Sequence, residues 1–354
     1  MALSNKKLVL LTGATGFIGF QTLLDALKAG FRVRCAVRSV ERGNVLLSKP
    51  ALQSLQQDNQ EAPVEIVVVP DLAAPGAFNE AILGASYVIH AASPLRSTQP
   101  DGDLEAEFVG PAKQATLEIL EAAANTASVE RVVITSSVAA LISPTAFTGM
   151  NPHDLDHPFT SSSRVPLMKP PFAHPSVAYM ASKIASLQIT ETWAKETHPR
   201  FGIINILPSW VLGPAAWAGE DSQVLLDTSN GLVLRTVVQG IKSPYPHMAG
   251  AVVDVRDVAR LHVQSLQRTD IVEAGGCRSF IASTPGKWED IPGIIRKNFV
   301  GELQNNSKRL TVLGEQTSIP LAIDSSDTEL AFEWKFTDLE RMITDLISQY
   351  IELK

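Results

Sequence analysis

Residues 12–19 have the sequence Thr-Gly-Ala-Thr-Gly-Phe-Ile-Gly, and they decide the fold class of this chain. They follow a short apolar run, Lys7–Leu11, and they open a helical pattern, Phe17–Ala29, that ends at Gly30. The apolar run is continuous rather than alternating, as expected for a strand that is covered on both faces. Three glycines between a first strand and a first helix predict a loop that binds the diphosphate of a dinucleotide.

The three glycines of this loop have separate physical roles. Gly13 permits a tight turn, Gly16 lets the backbone approach a diphosphate, and Gly19 allows the helix to pack closely against the strand. The N-terminus of the helix adds unpaired N–H groups and a dipole that favour negative charge. The residues that we predict to bind the cofactor in this loop are Gly13, Thr15, Gly16, Phe17, Ile18 and Gly19.

The end of the second predicted strand, Phe31–Val37, indicates which dinucleotide binds. An NAD site places an Asp or Glu about 20 residues after the loop, where it accepts from the ribose 2′-hydroxyl. Here Arg38 stands at that point with no acid beside it, and a guanidinium suits a 2′-phosphate, so we predict NADPH or NADP. Arg34 lies earlier in the strand and is equally explained as a solvated edge charge. Asp71 and Leu72 follow the third strand, and they either contact the adenine of the cofactor or form a turn.

Short β-branched runs alternate with helical patterns over the first two-thirds of the chain, which is typical of a parallel sheet with crossover helices. Six runs are predicted as strands: 7–11, 31–37, 64–69, 87–91, 131–135 and 202–207. We therefore predict an α/β fold with a Rossmann-type, doubly wound parallel sheet. Residues 1–208 form the dinucleotide-binding domain, and 209–354 form a smaller, mostly helical, mainly substrate-binding portion with some segments that return to the sheet.

A serine, a tyrosine and a lysine fall where chemistry is expected. Ser137 closes the fifth strand, and Tyr179 and Lys183 are four residues apart on one face of a predicted helix, Val177–Glu196. The Lys183 ammonium favours the phenolate and lowers the pKa of Tyr179, and it also bonds the nicotinamide ribose hydroxyls. Ser137 donates to the carbonyl oxygen of a substrate, and Tyr179 supplies the proton as the nicotinamide delivers hydride.

The segments TGATGFIG, VIHAASP (Val88–Pro94), RVVITSS, YMASK, LPSWVLGP (Leu207–Pro214) and VDVRDVARLHV (Val253–Val263) occur in this order along the chain. Together they resemble the extended short-chain dehydrogenase/reductase family, and more narrowly its dihydroflavonol reductase-like branch, which includes fungal NADPH-dependent aldehyde and ketone reductases. The resemblance implies Ser137, Tyr179 and Lys183 as the catalytic triad. Ser137 is chosen over Ser136 because the family's catalytic serine is the last of its Thr-Ser-Ser run.

The resemblance also implies further contacts of the cofactor. The residues that border the cofactor are Ala91, Ala92 and Ser93, and those near the nicotinamide are Pro208, Ser209 and Val211. An Arg at the end of the second strand is typical of the branch and agrees with Arg38. Two departures stand out. Gln114-Ala115-Thr116 replaces a Gly-Thr pair of related reductases, and the active-site Asn of many short-chain dehydrogenases has no assigned counterpart here.

Composition limits the kinds of partner that the protein is expected to bind. Thirty Lys and Arg against 37 Asp and Glu give a net charge of −7 over 354 residues, which argues against a nucleic-acid partner. The apolar runs are far shorter than the ~18 residues of a membrane span, and two cysteines fit a reducing compartment, so we expect a cytoplasmic monomer or homodimer that binds no membrane. Residues 151–158 hold two His and two Asp, but prolines bracket them, and we predict a surface loop and no metal.

These features predict an NADPH-dependent carbonyl reductase that takes an aldehyde or ketone as its small-molecule substrate. Aromatic side chains that could form an apolar substrate wall, or equally belong to the core, are Phe172, Trp210, Trp217 and Tyr245. One alternative is an NAD-dependent sugar-nucleotide epimerase or dehydratase, against which Arg38 counts. A second is a non-catalytic NADPH-sensing protein, which has no need of an intact Ser137, Tyr179 and Lys183.

Overall fold

The fold is that of a computed structural model, which describes residues 6–58, 64–93, 102–147, 157–304 and 310–353. The strands are β1 (Leu8–Thr12), β2 (Arg32–Val37), β3 (Val64–Val68), β4 (Tyr87–His90), β5 (Arg131–Thr135), β6 (Gly202–Pro208), β7 (Trp210–Leu212), β8 (His247–Ala249), β9 (Ala251–Asp254), β10 (Cys277–Ala282), β11 (Thr284–Pro285) and β12 (Thr317–Ile319). The helices are α1 (Phe17–Lys28), α2 (Val40–Leu47), α3 (Pro50–Asp58), α4 (Gly110–Ala124), α5 (Pro144–Phe147), α6 (Pro175–Thr197), α7 (Ser222–Leu226), α8 (Asn230–Val233), α9 (Val255–Ser265), α10 (Ile291–Asn298), α11 (Val300–Gln304), α12 (Ser326–Phe332) and α13 (Leu339–Glu352).

The chain forms two compact units, and each is built from separate stretches of sequence. The first unit comprises Met1–Leu141, Arg164–Leu207 and Ala259–Phe280. The second comprises Ile142–Ser163, Pro208–Val258 and Ile281–Lys354. A division of roles at residue 208 stays a prediction, because compactness does not say which ligand a unit binds.

The sheet of the first unit has seven strands in the order β10-β6-β5-β4-β1-β2-β3. The pairs β1·β2, β2·β3, β1·β4, β4·β5 and β5·β6 are parallel. The predicted doubly wound fold is confirmed, with a seventh strand, β10, beyond the six that the sequence indicates. Strand order reverses between β1 and β4, so the ends of these two strands flank the crevice in which such sheets bind ligands.

Burial explains why these segments become strands and helices. All five residues of β1 are buried, as a strand covered on both faces requires. Leu10, Val88 and Val132 on adjacent strands join Phe78 and Ile119 in one apolar cluster on a face of the sheet. The helical stretch before β5 is divided: residues 105–109 form a π-helical turn, and α4 begins only at Gly110. Pro111 is the reason, since it has no N–H to donate within a regular helix.

The second unit contains small sheets as well as helices. Strands β11, β9 and β7 form one three-stranded sheet, and β12 pairs with β8. The C-terminal helix α13 buries Leu339, Met342, Ile343, Leu346 and Ile347, a spacing that puts all five on one face. It begins at Leu339 because the Asp338 side chain accepts from the Arg341 N–H and caps the helix there. Among the described residues, no helix has the length and apolar character needed to cross a membrane.

Candidate active site

The glycine loop has the geometry of a cradle. Gly13 has φ of +77°, and a Cβ atom at this position would lie 2.7 Å from the backbone nitrogen of Ala92. A Cβ atom on Gly19 would lie 2.0 Å from the carbonyl oxygen of Gly13. Larger residues at either position would force the loop open. The close approach that Gly19 permits is therefore to the loop itself, rather than to the strand as the sequence predicts.

The first turn of α1 faces this loop with its backbone donors. Gly16 is the N-cap of the helix and has no side chain to accept from the first-turn N–H groups, which have no acceptor within a helix. Its Cβ position lies 3.3 Å from the Gly13 carbonyl oxygen, the single described heavy atom within 4 Å. The cradle therefore fits a diphosphate over the helix N-terminus, and contact of residues 13–19 with a cofactor stays a prediction.

Strand β4 brings its end to the same loop. The Ala92 N–H donates to the Thr12 hydroxyl at 3.1 Å, and the Ala91 N–H donates to the Thr12 carbonyl at 3.3 Å. Ala91, Ala92 and Ser93 are half-buried directly after β4. The structure thus brings Ala91 and Ala92 against the glycine loop, at the point where the strand order reverses.

The two arginines of the β2 region have different surroundings. Arg34 donates to Glu65 at 2.9 Å and to the carbonyls of Ala81 and Leu83 at 2.9 and 2.7 Å, so its interpretation as a solvated edge charge is wrong. Arg38 is exposed after β2 and makes no hydrogen bond or ion pair with another described residue. Its guanidinium is accessible to a ligand, whereas that of Arg34 is occupied.

The turn after β3 contains the predicted adenine contacts. The Asp71 carboxylate accepts from the Ala73 N–H at 2.9 Å, which is the contact expected of an Asp in a turn. Leu72 packs against the apolar cluster of the first unit. Contact of either residue with an adenine stays a prediction.

The three candidate catalytic residues all lie in the first unit. Lys183 donates from Nζ to the carbonyl of Thr135 at 3.3 Å, and the same atom lies 5.8 Å from the centre of the Tyr179 ring. Ser137 follows β5, and its oxygen accepts from the Ala139 N–H at 3.1 Å. Because a hydroxyl oxygen that accepts still has its own proton, Ser137 retains a donor. The structure therefore joins Tyr179 to Lys183, and Lys183 to the strand end that carries Ser137.

Burial sets the charge states in this region. Lys183 is 7% exposed, and burial lowers the pKa of its ammonium to about 8. His90 is 4% exposed, and burial, with the Lys183 charge as a second cause, lowers its pKa to about 4. Its Nδ1 atom lies 3.0 Å from the Thr12 hydroxyl, so this buried histidine is hydrogen-bonded. Burial thus disfavours the charged form of both groups.

An apolar cluster surrounds Tyr179. Phe108 and Val109 come from the π-helical turn, and Phe172 comes from the loop before α6; all three pack in the same cluster as Tyr179. Of the four predicted wall aromatics, Phe172 is thus beside a candidate catalytic residue. A contact between Phe172 and a substrate stays a prediction.

The remaining predicted site residues lie in the second unit. Pro208 is the last residue of β6, and the Ser209 N–H donates to the Ala282 carbonyl at 3.0 Å. The Val211 carbonyl accepts from the Ser229 hydroxyl. Two further wall candidates in this unit, Trp210 and Tyr245, have ring centres 5.9 Å apart, and Trp217 is half-buried.

A fully buried asparagine holds the segment after β7, and sequence reasoning misses it. Asn230 Oδ1 accepts from the Gly213 N–H at 3.0 Å, and Asn230 Nδ2 donates to the Gly213 carbonyl at 2.8 Å. Gly213 has φ of +113°, in the region that favours glycine. The partners are 17 positions apart in the sequence and no pattern links them, so only the folded chain reveals the clamp.

The His- and Asp-containing segment falls mostly outside the described residues. His153, Asp154 and Asp156 are not described, while His157 is. In the described part of the chain, no three His, Cys, Asp or Glu side chains cluster as metal ligands would.

Comparison with known proteins places this arrangement in a family. A family model described as "NAD dependent epimerase/dehydratase family" matches residues 9–276. The chain belongs to the NAD dependent epimerase/dehydratase family. It is 35% identical to ketoreductase CTB6 of Cercospora nicotianae, over 98% of this chain and 95% of the relative. It is 30% identical to ketoreductase sphI of Aspergillus fumigatus, over 98% of both chains.

Solved structures agree on the fold of this epimerase/dehydratase family member. Yeast methylglyoxal/isovaleraldehyde reductase Gre2, complexed with NADPH, superimposes with a TM-score of 0.77 at 23% identity. The match covers 98% of each chain. The family model and the ketoreductase relatives confirm the resemblance to extended short-chain dehydrogenases that the motifs indicate.

Proposed function

We propose that this protein is an NADPH-dependent carbonyl reductase, which converts an aldehyde or ketone into an alcohol. The observation that carries the proposal is the buried Lys183, held by Thr135 and close to the Tyr179 ring, one turn of α6 away. Burying a charged amine costs free energy, and a lysine on an exposed helix surface does not have this cost. Two relatives at 30% identity or more are named ketoreductases, which supports the same chemistry.

The preference for NADPH rests on the end of β2. Arg38 is exposed there with no acidic partner among the described residues, and Ser39 follows as the N-cap of α2. A guanidinium forms strong paired hydrogen bonds to a phosphate, whereas the carboxylate typical of NAD sites would repel the phosphate. The reductase of the same fold from yeast was solved with NADPH, in agreement with this assignment.

The residues of the chain divide the reaction among them. Bound NADPH supplies the hydride. The Ser137 hydroxyl, whose oxygen already accepts from Ala139, donates its proton in a hydrogen bond to the carbonyl oxygen of the substrate and stabilises the negative charge that develops there. Tyr179 donates its phenolic proton to that oxygen. Lys183 holds a positive charge near the ring, which stabilises the phenolate that is left and eases the proton transfer.

The substrate of this proposal is medium-sized and partly apolar. The half-buried Phe172 and the residues of the π-helical turn place apolar surface next to Tyr179 in the first unit. In the second unit, Trp210 and Tyr245 form an aromatic pair, and a role of these two rings in substrate binding stays a prediction. Aromatic and aliphatic walls with few polar groups are typical of sites for such ligands.

The proposal is tested by measuring cofactor oxidation. The purified protein is assayed with aldehydes, β-keto esters, diketones and dihydroflavonols, first with NADPH and then with NADH. We expect stoichiometric NADPH oxidation with at least one carbonyl class and a weaker reaction with NADH. A cofactor that remains bound and is not consumed while a sugar nucleotide is converted would instead indicate an epimerase or dehydratase. Absence of oxidation with every carbonyl would contradict the proposal.

A further inference from the structure

A small cavity lies beside Lys183 in the first unit. Polar residues from three strands and two helices line it, and they include His90, Thr116, Thr135, Ser136, Lys183 and Asn205. The cavity volume is about 20 Å³. One water molecule needs roughly 10–15 Å³ by this measure, together with two to four polar partners, so the cavity has room for one water molecule.

Two polar side chains that line the cavity are unpaired. Within the described residues, neither Asn205 Oδ1 nor Ser136 Oγ has a hydrogen-bond partner from the protein. Asn205 is 1% exposed and Ser136 is 7% exposed, so bulk water does not satisfy them. A buried polar group without a partner costs free energy, and such groups are normally hydrogen-bonded to the protein or to an ordered water.

Several other polar groups of the lining already have partners. Thr116 donates to the Ala112 carbonyl at 2.8 Å, and Asn205 Nδ2 donates to Cys277 Sγ at 3.3 Å. Lys183 has three N–H donors, of which one bonds the Thr135 carbonyl. The cavity therefore presents two unsatisfied oxygens next to a buried ammonium that has donors to spare.

We propose that the cavity holds one ordered water molecule, which accepts a hydrogen bond from the Lys183 ammonium and donates to Asn205 Oδ1, with Ser136 Oγ as its third partner. Asn205 is then a positioning residue, which acts on Tyr179 through the water and Lys183. The structural part of the proposal stands on the cavity alone. Only the effect on Tyr179 rests on the proposed reductase function.

The site has a predictable effect on the charge of Lys183. The titratable groups that face the amine are Tyr179 on its own helix and His90 at the end of β4. The cavity lining from β5, β6 and α4 is uncharged. A water that accepts from the ammonium favours its charged form, so loss of this water lowers the pKa of Lys183.

A crystal structure of the wild-type protein tests the water directly. We expect a density peak within hydrogen-bond distance of Lys183 Nζ and Asn205 Oδ1. An ordered cavity without such a peak would overturn the proposal. This test depends on no variant, so a variant that fails to fold does not affect it.

Titration of Lys183 in solution tests the role of Asn205. The full-length protein is labelled with carbon-13 at the lysine Cε atoms, and the Lys183 signal is assigned by its absence from Lys183→Met. We expect Asn205→Leu to lower the pKa of Lys183 by about one pH unit, and Asn205→Asp to raise it, because a carboxylate favours a nearby ammonium. Shifts of opposite sign are not expected from a loss of packing alone.

Ser279→Ala is the matched control. Ser279 on β10 is also a buried serine whose hydroxyl has no partner among the described residues, but it does not line the cavity. Its substitution should leave the Lys183 titration unchanged. An unchanged titration in Asn205→Leu would overturn the positioning role, whether or not the protein reduces carbonyls. The pH dependence of alcohol oxidation gives a second readout. Asn205→Leu should move the acid limb of this pH–rate profile to higher pH, because the Tyr179 phenolate loses part of the nearby positive charge.

Discussion

Lys183 on α6 donates to the carbonyl of Thr135 at the end of β5, with 3.3 Å between nitrogen and oxygen. This bond connects the helix that carries Tyr179 to the strand that leads into Ser137. The amine is therefore held at the carboxyl edge of the sheet, where the side chains of a catalytic site are expected to meet. The position of Tyr179 one turn earlier on α6 follows from the same anchor.

Substitution of the proposed acid tests the mechanism. Tyr179→Phe removes the phenolic proton and leaves the ring in its apolar cluster, so the fold and NADPH binding should persist. We expect turnover to fall by about 10²–10⁴-fold, the usual contribution of general acid catalysis. Steady-state kinetics and a cofactor-binding titration measure both properties. Tyr350→Phe, on α13, is the control and should turn over normally; near-normal turnover of Tyr179→Phe would refute the assignment.

Substitution of Arg38 tests the phosphate assignment. Arg38→Asp replaces a guanidinium by a carboxylate that repels a 2′-phosphate and accepts from a 2′-hydroxyl. We expect the KM for NADPH to rise at least about tenfold and the KM for NADH to rise less or to fall. Arg296→Asp on α10 makes the same change of charge at an exposed position. If Arg38→Asp weakens both cofactors equally, the guanidinium does not contact the phosphate.

Addition of a methyl group to Gly19 tests the cradle. Its Cβ atom would lie 2.0 Å from the Gly13 carbonyl oxygen, so Gly19→Ala must displace the loop. We expect a loss of about 1–3 kcal/mol in the free energy of unfolding, and weaker cofactor binding, because overpacking forces the backbone to shift. Gly293→Ala in α10 is the control, since its Cβ position has no described heavy atom within 4 Å. Chemical denaturation should show Gly293→Ala unchanged or stabilised; a Gly19→Ala variant as stable as the wild type would contradict the expected clash.

The pKa of His90 predicts how stability depends on pH. Burial lowers this pKa from 6.5 to about 4, so between these values the unfolded chain binds a proton that the folded chain does not. The free energy of unfolding should therefore be intact above pH 6.5 and fall as the pH drops toward 4, by up to about 3 kcal/mol from this group. Denaturation midpoints at pH 7 and pH 5 measure the effect.

Two variants isolate this contribution. In His90→Asn the stability should depend less on pH over this range. His198→Asn is the control, because His198 is exposed and its left-handed backbone suits an asparagine. An unchanged pH dependence in His90→Asn would assign the acid sensitivity to other groups.

The parts of the site that could be predicted from sequence are those that adjacent residues define. The glycine loop, the exposed Arg38 and the Tyr179–Lys183 pair each occupy a few consecutive positions, and the physics of turns, strand ends and helix faces acts over that range. The boundary of α4 is similar in kind, since Pro111 marks it, but a continuous apolar pattern obscures the break.

What sequence patterns do not indicate are contacts between distant segments. Asn205 lies inside an ordinary apolar strand, and its place at the cavity depends on Ser136 and Lys183, which reach it only through the sheet order. The clamp of Asn230 on Gly213 and the pairing of Arg34 with Glu65 are of the same type. Each is a polar bond across tertiary structure, for which local periodicity carries no information.

Strand β10 is synthesised after all the other strands of the seven-stranded sheet, and this order affects how the chain can fold. The edge of the sheet at β6 is completed by residues 277–282, which the ribosome makes long after residue 208. Until then β6, all of whose residues are buried in the folded protein, presents an unpaired edge, and such edges promote aggregation. A fragment that ends at Pro208 would hold every candidate catalytic residue and yet be poorly soluble. The nascent chain therefore passes through an interval in which this edge of the sheet is unpaired.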